Sequence, residues 1–196
     1  MMLTENEKKV LRLLSVSFNK DFSINDIARG VFVTPNGAYK ILKKFEKEGV
    51  LKAKKIANVK AYKLNFENEI TSRLLELALI PSELEERVKS RLKDVQQLKS
   101  ITKACIFFGS YITSKRNPRD LDVLFIVSKS KFSFYKKILE EVRDISPVKI
   151  HDIVQTTDDL LQNLKKNDVI VTEALRNGLV LWGFEIVVQV IKNASR

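Results

Sequence analysis

The fold of this chain is constrained most strongly by two apolar runs. The first is followed at once by a glycine, and the second opens with two aspartates. Ala104–Phe108 has the length and composition of a buried strand, and Gly109-Ser110 follow it directly. The second apolar run begins with Asp120, Leu121 and Asp122. Because side chains alternate along a strand, Asp120 and Asp122 project from the same face. Two carboxylates held this close favour a cation between them, which predicts a Mg²⁺ (or Mn²⁺) site.

The glycine and serine between the two strands suit the same chemistry. A glycine at a strand end lets the backbone approach a triphosphate, and the Ser110 hydroxyl with nearby amides can bind the phosphate oxygens. A divalent ion at the aspartates would polarise the α-phosphate and activate the attacking oxygen. Gly109 and Ser110 are therefore candidate nucleotide-binding residues. The loop that follows supplies weaker candidates: Lys115, Arg116 and Arg119.

This spacing resembles the signature of a known family. Phe-Gly-Ser, nine further residues and then Asp-Leu-Asp before an apolar run is similar to the pattern of the DNA polymerase β-like nucleotidyltransferases, above all their minimal archaeal and bacterial members. The resemblance covers roughly residues 83–193. It implies an α+β nucleotidyltransferase fold with a mixed sheet and flanking helices. It also implies that Gly109 and Ser110 hold the nucleotide phosphates and that Asp120 and Asp122 bind the divalent metal.

A third carboxylate on a later strand usually completes the site in that family. Asp152 is the only acid in the predicted strand Val148–Val154, which makes it the third catalytic candidate. Alternation groups Asp152 with Ile150 and Val154, so the alternative is that it is a residue of the strand end without a catalytic role. His151 beside it is either a base or, as for most lone histidines, structural.

Positive charge is concentrated in the first third of the chain. The net charge is +11, and residues 1–65 hold fourteen lysines and arginines against six acids. A locally basic module suggests a polyanionic partner, with nucleic acid first, and the alternative is a lysine-rich solvated surface. The chain has one cysteine and one histidine, which argues against a zinc site built from its own side chains.

Three helix starts are marked in this basic segment. Thr4–Glu7 and Ser23–Asp26 have the pattern of capping boxes, and Thr34-Pro35 places a capping hydroxyl before a proline at the first helical position. Gly30 is expected to end the second helix, and Gly49 is expected to provide a left-handed cap after the third. The segment therefore predicts three short helices.

The third helix has one apolar and one polar face. The apolar side at 100° per residue contains Ala38, Ile41, Leu42 and Phe45, and an amide, a phenol and several cations fall on the other side. A lysine-rich hairpin is predicted over residues 52–63, with its turn near Ala57-Asn58. The polar face and the hairpin suit base edges and phosphates. The candidate DNA-binding residues are Asn36, Tyr39, Lys40, Lys43, Lys47, Lys54 and Lys55.

Three short helices followed by a basic hairpin resemble the winged helix-turn-helix of archaeal and bacterial regulators. The resemblance implies that the third helix enters the major groove of double-stranded DNA and that the hairpin contacts the backbone or the minor groove. Dimerisation or protein docking is the alternative use of such a module.

Helical segments join the two modules. Residues 67–80 form an amphipathic pattern that Pro81 interrupts, and Ser82 is placed to cap a further helix over residues 83–98. We expect a winged helix-turn-helix domain at 1–66, a helical connector at 67–81 and a nucleotidyltransferase domain at 82–196. The first connecting helix could instead pair with its copy in a homodimer.

Together the two resemblances imply a DNA-binding enzyme that transfers a nucleoside monophosphate from a triphosphate, ATP first, to a hydroxyl acceptor. Some minimal nucleotidyltransferases are antitoxins that modify a partner toxin, and an RNA acceptor is a further interpretation. The alternative is a transcriptional regulator whose second domain is inactive or only binds nucleotide. No apolar run is long enough to cross a membrane, and the segment Met1–Lys9 is largely polar, unlike a signal peptide. We therefore expect a cytoplasmic protein without a membrane partner.

Overall fold

The computed structural model describes residues 3–18, 20–56, 59–114, 118 and 120–195. These residues form an α+β structure with two β-sheets, divided into two compact units, as the sequence predicts in outline. The first unit comprises Met1–Leu79 with Ile191–Arg196, and the second comprises Ile80–Val190. Within the described ranges, every helix is too short or too polar to span a membrane.

Side-chain caps define the helices of the first unit. The Thr4 hydroxyl accepts a hydrogen bond from the amide of Glu7, whose carboxylate accepts one from the Thr4 amide, and Ser23 and Asp26 repeat this arrangement. The Thr34 hydroxyl accepts from the Gly37 amide at the third start. All three predicted starts are confirmed. The helices are α1 (Glu5–Ser15), α2 (Ile24–Val31), α3 (Pro35–Lys47) and α4 (Glu69–Leu79).

A small antiparallel sheet completes the first unit. It contains β1 (Phe22–Ser23), β2 (Leu51–Ile56) and β3 (Val59–Leu64) in the order β1-β3-β2. The pairing of β2 with β3 confirms the predicted hairpin, and the expected turn residues, Ala57 and Asn58, lie outside the described residues. Gly49, just before β2, has φ 70°, which confirms the predicted left-handed position after α3.

The end of α2 differs from the sequence prediction. Gly30 is predicted to end this helix, but the helix continues to Val31, and Phe32 takes the left-handed conformation with φ 59° and ψ 48°. Val31 is buried with Ile27, so one further helical residue adds apolar burial. A left-handed conformation costs a non-glycine residue about 1–2 kcal/mol. The Phe32 ring is 94% exposed, so no burial of the ring offsets this cost.

The second unit is built around a mixed sheet of four strands in the order β6-β5-β4-β7. Parallel pairing joins β5 to β6, and antiparallel pairing joins β4 to both β5 and β7. The mixed sheet agrees with the expectation for this part of the chain. Its strands are β4 (Thr102–Phe108), β5 (Asp120–Val127), β6 (Lys149–Gln155) and β7 (Leu179–Trp182).

Helices of the second unit connect and flank these strands. They are α5 (Glu86–Val95), α6 (Ser110–Thr113), α7 (Phe132–Ile145), α8 (Thr157–Lys165) and α9 (Val169–Asn177), with short 3₁₀ turns at Gln96–Ser100 and Lys129–Lys131. The last helix, α10 (Phe184–Ala194), begins in the second unit, and its residues from Ile191 onward belong to the first. The expected start of α5 differs, because Glu85 rather than Ser82 is the residue before the helix, and Glu85 makes no capping hydrogen bond through its side chain. Burial of Val88 and Val95 fixes this helix instead of a cap.

Aromatic packing fills the core of the second unit. Phe107, Phe125 and Tyr135 are fully buried, and the rings of Phe125 and Tyr135 meet edge to face with centroids 5.5 Å apart. Cys105 is buried in the same core as a free thiol, and burial raises its pKa well above the usual value. Apolar packing therefore holds β4 and β5 in place. Gly109 follows the end of β4, and Asp120 and Asp122 lie at the start of β5.

Candidate functional site

A tight turn at Gly109 connects β4 to α6. Gly109 has φ 71° and ψ −156°, a conformation open essentially to glycine alone. A Cβ atom added there would overlap the Asp122 carboxylate, so glycine allows this turn to lie directly against that side chain. Ser110, the next residue, is exposed. The loop candidates lie outside the described residues: Lys115, Arg116 and Arg119.

Asp120 and Asp122 share one face of β5 at the start of the strand. Leu121 and Val123 are fully buried, whereas both aspartates are partly exposed, so the carboxylates project from the face opposite these apolar neighbours. Asp122 pairs with Phe108 of β4, which places it beside the turn at Gly109. This is the arrangement that strand alternation predicts.

Parallel pairing with β6 adds two basic residues next to these acids. Lys149 lies opposite Asp120, and His151 lies opposite Asp122. The distance from His151 Nδ1 to Asp122 Oδ1 is 3.5 Å, too long for a strong hydrogen bond, and the imidazole is 45% exposed. Sequence reasoning favoured a structural role for His151, and only the register of β6 on β5 shows that it faces Asp122.

Asp152, the predicted third catalytic acid, is not brought to this face. It lies opposite Val123, on the other side of the sheet from Asp122. Tyr135 Oη donates a 2.8 Å hydrogen bond to Asp152 Oδ2, and Arg143 Nη2 donates one of 2.6 Å to Asp152 Oδ1. The prediction that Asp152 joins the two strand aspartates is therefore wrong. Its carboxylate lies on the opposite face of the sheet, where Tyr135 and Arg143 of α7 bind it.

The tyrosine that binds Asp152 is held in its neutral form. Burial raises the pKa of the Tyr135 phenol far above its usual value, and the nearby charge of Asp152 raises it further. The phenol therefore remains a hydrogen-bond donor across the working pH range. This contact is part of the packing between α7 and β6.

The two strand aspartates supply a pair of carboxylates on one face of β5, a donor set that suits a divalent ion. Within the part of the chain that the structure describes, no group of three or more His, Cys, Asp or Glu side chains is placed to hold a metal. Mg²⁺ commonly takes one or two protein carboxylates and completes its shell with substrate phosphates and water. Asp120 and Asp122 offer these carboxylates, and the Gly109 turn lies directly against the Asp122 side chain.

A second candidate surface is formed by α3 and the hairpin of the first unit. Ala38, Leu42 and Phe45 are fully buried, so the opposite face of α3 is open to solvent. Each predicted DNA-binding residue is exposed. These residues are Asn36, Tyr39, Lys40, Lys43 and Lys47 on α3, with Lys54 and Lys55 on β2.

Ion pairs divide the lysines of this surface into two groups. Lys43 Nζ lies 3.5 Å from Glu46, and Lys60 donates a 2.6 Å hydrogen bond to the same carboxylate, which lowers the pKa of Glu46. The other predicted lysines have no acidic partner among the described residues and are available to phosphate groups. They are Lys40, Lys47, Lys54 and Lys55.

Comparison with known proteins gives a family but no activity. The sequence profile described as "Family of unknown function (DUF6932)" matches residues 43–175, more than half of the chain. No curated protein matches the chain. The crystal structure of a MepR mutant from a multidrug-resistant S. aureus clinical isolate is similar over 50% of this chain and 73% of that one, with 18% identity and a TM-score of 0.38. At this score the similarity supports no argument about fold or function.

Proposed function

We propose that this chain, which belongs to the DUF6932 family, is a DNA-binding nucleotidyltransferase. Its second unit has the polymerase β-like fold and transfers a nucleoside monophosphate from a triphosphate, ATP first, to a hydroxyl acceptor. Its first unit is a winged helix-turn-helix that binds double-stranded DNA. One observation carries the proposal: the Gly109 turn lies against Asp122, on the face of β5 that also presents Asp120.

Each residue around the turn has one task in this proposal. Asp120 and Asp122 hold a divalent ion, which when bound supplies Lewis-acid polarisation of the α-phosphate. The Gly109 backbone approaches the phosphates, and the Ser110 hydroxyl donates a hydrogen bond to a phosphate oxygen. His151, which lies beside Asp122, accepts the proton of the attacking hydroxyl. A new bond forms from the acceptor oxygen to the α-phosphorus as the bond to pyrophosphate breaks.

Transfer of label from α-³²P-ATP in the presence of Mg²⁺ tests the catalytic half of the proposal. Asp122→Asn keeps the size of the side chain and removes its charge, so label transfer to protein or RNA should fall to background. Asp144→Asn, an exposed aspartate of α7, is the matched control and should transfer label like the wild type. Equal transfer by Asp122→Asn would remove this aspartate from the reaction.

Duplex-DNA binding measured over a range of salt concentrations tests the first unit. Lys40→Ala and Lys54→Ala each remove an exposed ammonium without an acidic partner, so each should weaken binding and lower the slope of log K against log salt by about 1. Lys63→Ala removes the same charge from the hairpin, but this ammonium lies 3.3 Å from Asp21, so the slope should change little. Unchanged binding in Lys40→Ala and Lys54→Ala would show that this surface does not contact DNA.

A second function is favoured by the position of Asp152. Tyr135 and Arg143 hold this acid on the other face, and the described residues offer no third acid to the two strand aspartates. The chain would then be a transcriptional regulator whose second unit binds nucleotide without transferring it. Such a protein retains DNA binding and transfers no label to any acceptor, including RNA or a partner toxin. An RNA-directed enzyme would instead prefer RNA to duplex DNA at matched salt.

A further inference from the structure

The first unit contains a cavity that neither proposed activity uses. Its volume is about 400 Å³, within the range of roughly 300–1,000 Å³ that is typical of small-molecule pockets. The cavity lies between the end of α1 with its following loop and the strands β2 and β3. None of the predicted DNA-binding residues lines it.

Three of the twelve residues that line the cavity are aromatic. Phe18 and Phe66 are half-buried, and Tyr62 is 1% exposed. Aromatic rings pack favourably against other flat rings in stacked or edge-to-face arrangements. The lining therefore favours a ligand with a planar apolar body.

Positive charge surrounds these rings. Lys20, Lys52 and Lys63 line the cavity against one acid, Glu67. Lys52 is paired with Glu67, and Lys63 lies 3.3 Å from Asp21. Lys20 is exposed and makes no ion pair within the described ranges. One ammonium group at the cavity is therefore not neutralised by an acid.

We propose that this cavity binds a small aromatic anion, of the class of aromatic carboxylates and sulfonates. The ring of the ligand packs among Phe18, Tyr62 and Phe66, and its charged group binds the ammonium of Lys20. A neutral aromatic ligand would leave this ammonium without a counter-charge, and a bare inorganic anion would leave the apolar lining unfilled. The site depends on neither nucleotidyl transfer nor DNA binding.

Binding of the fluorescent aromatic anion anilinonaphthalene sulfonate to the full chain tests this site. We expect saturable binding with one site per chain. Lys20→Ala should weaken it about tenfold, as for loss of a charge-assisted contact. Lys9→Ala removes an exposed lysine of α1 that does not line the cavity and should leave the affinity unchanged. Uncharged phenylnaphthylamine should bind with an affinity that Lys20→Ala does not alter.

A variant that fills the cavity separates this site from other apolar surfaces. Ser17 lines the cavity and is half-buried, so Ser17→Phe should block the sulfonate while thermal unfolding followed by circular dichroism shows an intact fold. The absence of wild-type binding, a binding curve with many equivalent sites, or wild-type affinity in a folded Ser17→Phe variant would each overturn the proposal. So would displacement of the sulfonate by duplex DNA in parallel with DNA binding, since the cations would then belong to the DNA surface.

Discussion

Replacing Gly109 by alanine should destabilise the second unit and remove the candidate active site in one step. Alanine at φ 71° and ψ −156° would occupy a region that costs a non-glycine residue about 1–3 kcal/mol. The added Cβ would also overlap the Asp122 carboxylate. Moving this side chain off its preferred rotamer costs roughly 1 kcal/mol more. We therefore expect Gly109→Ala to lower the free energy of unfolding by about 2–4 kcal/mol.

The single tryptophan makes this loss measurable in the second unit alone. Trp182 lies in β7 and is 6% exposed, so its fluorescence during urea unfolding reports on that unit. Asp122→Ala in the Gly109→Ala background should recover about 1 kcal/mol, because the overlapping carboxylate is then absent. Wild-type stability of Gly109→Ala, or strictly additive losses in the double variant, would refute the close approach of the turn to Asp122.

Three further predictions concern single side chains. Hydrogen bonds from Ser23 hold the pKa of Asp26 at about 2, below its usual 3.8, so the stability from this carboxylate is present above about pH 4 and is lost as the pH falls through about 2. Asp26→Asn should flatten this part of an acid-unfolding curve followed by circular dichroism, and an unchanged curve would contradict the assignment. Phe32→Gly should stabilise the first unit by about 0.5–1 kcal/mol in thermal unfolding, because it relieves the left-handed strain of an exposed residue, and a loss of stability would contradict this reasoning. Tyr135→Phe should destabilise the second unit by about 1–2 kcal/mol in urea, since Asp152 loses a donor, and should leave label transfer unchanged, whereas loss of transfer would return Asp152 to the active site.

Local chemistry allowed the centre of the candidate site to be predicted from sequence. The period of a strand alone places Asp120 and Asp122 on one face, and the glycine that ends the preceding strand marks the turn beside them. Capping side chains such as Thr4 and Thr34 likewise mark helix starts, because each satisfies amides within the same turn. These features depend on neighbours only a few residues apart.

Features that depend on pairing between distant strands could not be predicted in the same way. The positions of His151 and Asp152 relative to the aspartates follow from the register of β6 on β5. Alternation within β6 groups Asp152 with the buried Ile150, but only the pairing of β6 with β5 brings His151 next to Asp122. The end of α2 could not be predicted either. Glycine is the residue expected in the left-handed conformation that ends a helix, so Gly30 is the natural choice, but the exposed Phe32 adopts that conformation instead.

The central claim is a metal-nucleotide site beside the Gly109 turn. Its most direct test is Mn²⁺ binding to the chain in the presence of a non-hydrolysable ATP analogue, measured by electron paramagnetic resonance. We expect tightly bound Mn²⁺ that depends on the analogue in the wild type and in Asp144→Asn, and we expect Asp122→Asn to lose it. Retention of bound Mn²⁺ by Asp122→Asn, or no bound Mn²⁺ in the wild type, would contradict a metal-nucleotide site beside the Gly109 turn.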